Sequence, residues 1–163
     1  MKNLLLMRHA KSSWKDDRLT DHQRPLNKRG REDAKRIAKH MIQHDIHPDL
    51  ILSSTAVRAS ETVELVAEEL GYDDPIQFSD DLYMGEPEDF IDVLRTLGDD
   101  YETVMIVAHN PGLELYLEII DREIEALPTS GLCQITFVLE SWKEISLTSQ
   151  GNLIRFWTPR TID

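Results

Sequence analysis

The sequence predicts an α/β fold, a three-layer α/β/α sandwich with a mainly parallel sheet and one antiparallel edge. Two observations carry this expectation. Short apolar runs alternate with segments whose apolar residues recur at helical spacing, the pattern of strand–helix–strand units. The last two strand-like runs then follow one another with no helical pattern between them, so that edge is read as antiparallel. No repeat, low-complexity tract or linker-like stretch interrupts the pattern, and residues 1–163 are read as one domain.

Residues 3–7 form a short apolar run ending in charge, a buried strand. Ala34, Ile37, Ala38, Met41 and Ile42 then repeat at helical spacing, with Gly30 near the start of the helix and His47-Pro48 past its end. Residues 49–52 are a second strand. Ser53, Ser54 and Thr55 are N-cap candidates for a helix with Ala59, Val63, Val66, Ala67 and Leu70 inside, closed by Gly71. A weaker strand lies near 76–78. Pro87 opens a third helix carrying Phe90, Ile91, Leu94 and Leu97, closed by Gly98. Residues 103–108, β-branched and apolar throughout, read as a strand buried on both faces. Asn110-Pro111 caps and starts a fourth helix through Leu113, Tyr116, Leu117 and Ile120, and strands near 132–139 and 152–158 end the chain.

Composition narrows the function. The hydrophobic share of 40% and the charged share of 29% are those of a soluble globular chain. No apolar run reaches the length of a membrane span, and the run after Lys2 stops at Arg8, short of a signal-peptide core, so a cytoplasmic location is expected. The lone Cys133 leaves no internal disulfide and sits in a strand-like setting, which reads as packing. A net charge of −12 repels phosphate backbones, so nucleic acid is not expected as a partner, and without an apolar run of spanning length neither is a membrane. It also disfavours anionic substrates unless cations gather at one spot.

They do gather. Arg8-His9 follows the first strand, Arg58 lies early in the helix after the second, and His109 follows the strand ending at Ala108. Ligands of open α/β sheets bind beyond the carboxyl ends of the strands, so these four side chains are delivered to one edge. The N-termini of two helices, after Ser54 and after Asn110, add N–H donors there. In an acidic chain this is a site for a phosphate-sized anion. Other chemistries lack their residues: Cys133 is followed six positions later by Leu139 rather than Arg, and neither a phosphate-binding Gly-x-x-x-x-Gly-Lys loop nor a Gly-x-Ser-x-Gly elbow occurs. His40, His44 and His47 have a metal-like spacing but no Cys or carboxylate set to complete it, so no metal is expected.

Three segments match a known pattern. Leu6-Met7-Arg8-His9-Ala10 resembles the Arg-His-Gly signature of the histidine phosphatase superfamily, with Ala in third place. The stretch Ser53-Ser54-Thr55-Ala56-Val57-Arg58-Ala59-Ser60-Glu61-Thr62 resembles the second signature, and Ala108-His109-Asn110-Pro111 the third. Arg24-Pro25-Leu26 followed by Gly30, with Lys11-Ser12-Ser13-Trp14 after the first motif, looks most like the SixA-type phosphohistidine phosphatase branch. The resemblance implies a phosphoglycerate mutase-like fold, His9 as phosphate-accepting nucleophile, and Arg8, Arg58 and His109 around the phosphoryl oxygens, with His109 able to act as a cation. It implies no metal or other cofactor, and adds Arg24, Lys11 and Ser12 as substrate contacts.

One departure bears on the substrate. Many relatives carry a glutamate that protonates the leaving oxygen; here Met84 stands where it is expected, leaving Asp81 or Glu86 as candidate general acids. Phosphohistidine leaves as a neutral imidazole and needs a carboxylic acid less than an alkoxide does. The short chain also leaves little room for a lid. The expected substrate is therefore phosphohistidine on a partner protein. A phosphomonoesterase acting on small phosphate esters and a phosphate-binding adaptor without turnover are the alternatives.

Overall fold

The computed structural model describes residues 1–124 and 126–162. Six strands form one sheet: β1 (Lys2–Arg8), β2 (Leu50–Ser54), β3 (Gln77–Ser79), β4 (Thr103–Ala108), β5 (Leu132–Phe137) and β6 (Gly151–Trp157), in the order β3-β2-β4-β1-β5-β6. The first four run parallel. β5 is antiparallel to β1, and β6 to β5, as expected for this edge. Four helices accompany them: α1 (Lys28–Gln43), α2 (Val57–Leu70), α3 (Pro87–Arg95) and α4 (Gly112–Ile120). No helix among the described residues is long and apolar enough to cross a membrane.

The three layers follow from the period-two alternation of the buried strands. In β1, Leu5 and Met7 join Met105, Val107, Ile37, Met41, Val63 and Val66, a core under α1 and α2. Leu4 and Leu6 point the other way and join Val104, Ile106, Phe90, Leu94, Tyr116 and Leu117, a core under α3 and α4. Cys133 belongs to this second core and is fully buried, which pushes its thiol up to about 12. Each Leu, Ile, Val or Met so buried contributes about 1.5–3 kcal/mol of transfer free energy.

Insertion of β4 between β1 and β2 sets up the site. Arg8 pairs in register with Ala108, so the residues that follow each strand, His9 and His109, emerge side by side. The His9 N–H donates to the Ala108 carbonyl at 3.1 Å, holding the first turn of the β1 loop against the end of β4. Gly30 permits a close approach on the opposite flank: a Cβ there would lie 2.1 Å from the Lys11 carbonyl oxygen.

Three local expectations are corrected. The N-cap of α2 is Ala56, not Ser53, Ser54 or Thr55; the Ser54 hydroxyl accepts from the Ala56 N–H itself and also meets His109. α3 ends at Arg95 with Thr96 as its cap, so Gly98 lies beyond the helix, although Leu97 still packs into the core. α4 begins at Gly112, and the Asn110 amide reaches across to the Leu127 carbonyl instead of capping it.

Candidate active site

His9, Arg58 and His109 are all buried at the carboxyl ends of the strands, and Arg8 is partly so. The rings of His9 and His109 face one another with centroids 5.0 Å apart. Arg58 is directed inward from the first turn of α2, and its Nε–H donates to His9 Nε2 at 3.4 Å. The Arg8 guanidinium donates to the Leu127 carbonyl at 3.1 Å. Four cationic or imidazole groups from three strand ends are thus brought together.

The tautomer of His9 follows from its partner. A carbonyl only accepts, so the 2.7 Å contact of Nδ1 with the Ala10 carbonyl fixes the proton on Nδ1. The lone pair is then on Nε2, where Arg58 donates. Burial is the largest influence on this ring and lowers its pKa; the Ala10 hydrogen bond opposes it, and Arg58, Arg8 and Arg24 add to the lowering, to about 4. His109 is lowered to about 3, by burial first and then by His9 and Arg58. Both rings are therefore neutral at pH 7, which corrects the expectation that His109 is available as a cation.

His109 Nε2 lies 2.7 Å from the Ser54 hydroxyl, which also accepts from the Ala56 N–H. Among the described residues His109 Nδ1 and Arg8 Nε are buried without a hydrogen-bond partner. Thr62, one turn along α2, accepts from the Ala10 N–H at 2.9 Å and donates to the Arg58 carbonyl at 2.6 Å, locking the His9 loop to the helix that carries Arg58.

Asp21, on a 3-10 turn in the loop after β1, organises the mouth of the site. Its carboxylate accepts from Arg58 at 3.0 Å, from the Tyr83 hydroxyl at 2.7 Å and from Arg24 at 3.2 Å, and its carbonyl accepts from Arg58 at 2.7 Å. Burial raises the Asp21 pKa, but the bonds from Tyr83, Arg58 and Arg24 outweigh it and hold it at about 2. It is an ionised brace, not an acid. Tyr83 also stands edge-on to His109 with centroids 5.5 Å apart. Periodicity and motif spacing missed Asp21 and Tyr83 and gave Ser54 a place in the second signature without its bond to His109; the nearest signal for Asp21 was its position three residues before Arg24.

The remaining candidates divide. Arg24 donates to the Ser12 hydroxyl at 2.6 Å and stacks beneath the exposed Trp14 at 3.5 Å, so both are tied to the cluster through Asp21. The Lys11 side chain is exposed, with no hydrogen bond or ion pair among the described residues. Asp81 lines a surface depression of about 350 Å³ with Phe78, Val93 and Thr96, and Glu86 lines another of about 670 Å³ with Leu115, Ile119 and Arg122. Neither is hydrogen-bonded to the four central residues. Met84, exposed and at φ 58°, follows Tyr83 at the rim. His40 and His44 pack on Trp157 of the edge strand β6.

Proteins of related sequence and fold are known. An uncharacterised protein of Mycobacterium tuberculosis is 31% identical over 165 residues, covering 94% of this chain and all of that one. The structure of the SixA protein of Agrobacterium tumefaciens superposes with a TM-score of 0.82 at 30% identity, over 97% of this chain and 98% of that chain. The protein histidine phosphatase SixA in complex with tungstate superposes at 0.81 over 97% of each chain; at 20% identity this speaks to the fold. The family model for branch 1 of the histidine phosphatases matches residues 4–83, which hold His9, Asp21 and Arg58. The chain belongs to the histidine phosphatase superfamily.

Proposed function

We propose that this protein is a metal-independent phosphatase that removes the phosphoryl group from phosphohistidine on a partner protein, with His9 as nucleophile. The observation that carries the reading is the orientation of His9: its Nδ1 proton is committed to Ala10, which leaves the lone pair on Nε2 beside Arg58, with the His109 ring 5.0 Å away. Nε2 attacks phosphorus, the substrate's P–N bond breaks with its electron pair leaving on the imidazole, and water then cleaves the new P–N bond to release inorganic phosphate. Arg8, Arg58 and the orphaned Nδ1 of His109 receive the phosphoryl oxygens. Phosphoryl transfer is mostly positioning and electrostatic stabilisation, and two arginines supply the charge.

The choice of a P–N substrate is supported by the carboxylates. Asp21 is ionised and engaged by two arginines, while Asp81 and Glu86 line other surfaces. Among the described residues no carboxyl group is hydrogen-bonded to His9, and Glu114, the carboxylate whose charge acts on Arg8, accepts from the Leu127 N–H; a phosphohistidine imidazole, unlike an alkoxide, can take its proton from water. The likeness to SixA proteins points the same way. The test is hydrolysis of a phosphohistidine peptide and of an aryl phosphate by wild type and His9→Ala. Faster turnover of the peptide, abolished in the variant, is expected. Equal or better turnover of the ester overturns the substrate assignment, and an active variant overturns the nucleophile.

A further inference from the structure

The charge of this chain is divided between two regions. Residues 1–39 hold 12 of the 18 lysines and arginines and 5 of the 30 acidic residues, a net charge of +7. Residues 40–163 hold the other 6 and 25, a net charge of −19. The basic region is one contiguous flank of the site: the loop from Lys11 to Arg24, then α1. Spaced three and four apart, Lys28, Arg31, Lys35 and Lys39 share the solvent face of α1 with the exposed Glu32, while Arg29 and Arg36 beside them pair with Asp33. Lys11, Lys15, Lys28, Lys35 and Lys39 form no ion pair among the described residues. The loop and helix are joined at the mouth, where Ser12 bridges to Leu26 and Asn27 donates to the Lys11 carbonyl. At 16 residues, α1 carries its charges about 24 Å away from the site.

The opposite flank is acidic, with Asp80, Asp81, Glu86 and Glu88 all exposed. At the basic rim stands Trp14, 76% exposed with one face on the Arg24 guanidinium. An exposed Trp stacked on a fixed Arg is the composition of an interface anchor, and rim cations set orientation and encounter rate.

We infer that the flank formed by the 11–24 loop and the outer face of α1 is the docking surface for an acidic protein face that presents the phosphorylated histidine. This rests on the phosphohistidine reading and adds the partner's chemistry to it. An acidic face meets α1 and is repelled by the Glu86 side, so it lands in one orientation over His9.

The test uses two phosphohistidine peptides of equal length, one flanked by Asp and Glu and one by Lys, with wild type and Lys28→Glu/Lys35→Glu/Lys39→Glu. These three lysines are exposed and outside the catalytic cluster, and a triple Gln variant controls for the reversed charge. At low salt kcat/KM for the acidic peptide exceeds that for the lysine peptide by about tenfold or more, through KM, and the preference collapses in the variant and as salt screens it. An equal or reversed preference, or one untouched by the triple variant, overturns the inference. Binding of the unphosphorylated acidic peptide to His9→Ala, read by fluorescence anisotropy, separates docking from chemistry. If neither peptide is hydrolysed but the acidic one still binds through these lysines, the docking surface stands and the substrate reading falls. Tighter binding of a single-stranded oligonucleotide of matched charge than of the acidic peptide overturns the assignment of a protein partner.

Discussion

Acidification from pH 8 to pH 5 probes the environment of the two facing imidazoles. An unfolded histidine takes up a proton near pH 6.5, whereas His9 is held at about 4 and His109 at about 3. The unfolded chain therefore binds more protons throughout this window, and stability falls as pH falls through 6.5 toward the folded values. At pH 5 each ring costs about 2 kcal/mol relative to pH 8, on the order of 4 kcal/mol for the pair. Asp21, held at about 2, keeps its charge across the window and contributes its own loss only at lower pH. His109→Gln isolates one ring, since an amide can keep a bond to Ser54. Urea unfolding at both pH values is expected to show wild type losing about 2 kcal/mol more than the variant. Nitrogen NMR of the imidazoles reads the same quantity without unfolding. Parallel losses in the two proteins, or a His9 midpoint near 6.5, would refute the reasoning, because burial then does not hold the rings neutral.

Two further substitutions test the scaffold around them. Asp21→Asn keeps the backbone carbonyl that holds Arg58 but removes the anion shared by Arg58, Arg24 and Tyr83; after allowance for its half-exposed position, kcat should fall about tenfold with little change in KM, and an unchanged kcat would deny it a positioning role. Gly30→Ala puts a methyl group 2.1 Å from the Lys11 carbonyl, a backbone atom that cannot swing away, and the overpacking cost of about 1–3 kcal/mol exceeds the helix-propensity gain of about 1 kcal/mol. A lowered melting temperature is expected, and a raised one would mean that the loop is free to move.

The layered fold was readable from the sequence because its signal is local. Residues 103–108 are apolar on both faces only if helices cover both, and Ala34, Ile37, Ala38 and Met41 recur at the period of one buried helical face. The gathering of Arg8, His9, Arg58 and His109 followed from topology, since Arg8 ends a parallel strand, His9 and His109 follow one directly, and Arg58 opens the helix after another. Tertiary structure alone decided how these groups are held. Ser54 looked like a helix cap; its hydroxyl does accept from the Ala56 N–H but is shared with His109, because insertion of β4 beside β2 brings the imidazole within reach. Asp21 and Tyr83 lie 62 residues apart and meet at 2.7 Å, a long-range contact with no trace in spacing. The neutrality of His109 is likewise set by burial and by neighbours from two other strand ends, quantities that exist only once the chain has folded. The sequence determined which groups reach the edge of the sheet. Their protonation and orientation, and which carboxylate braces them, depend on distances between segments remote in the chain, which only packing defines.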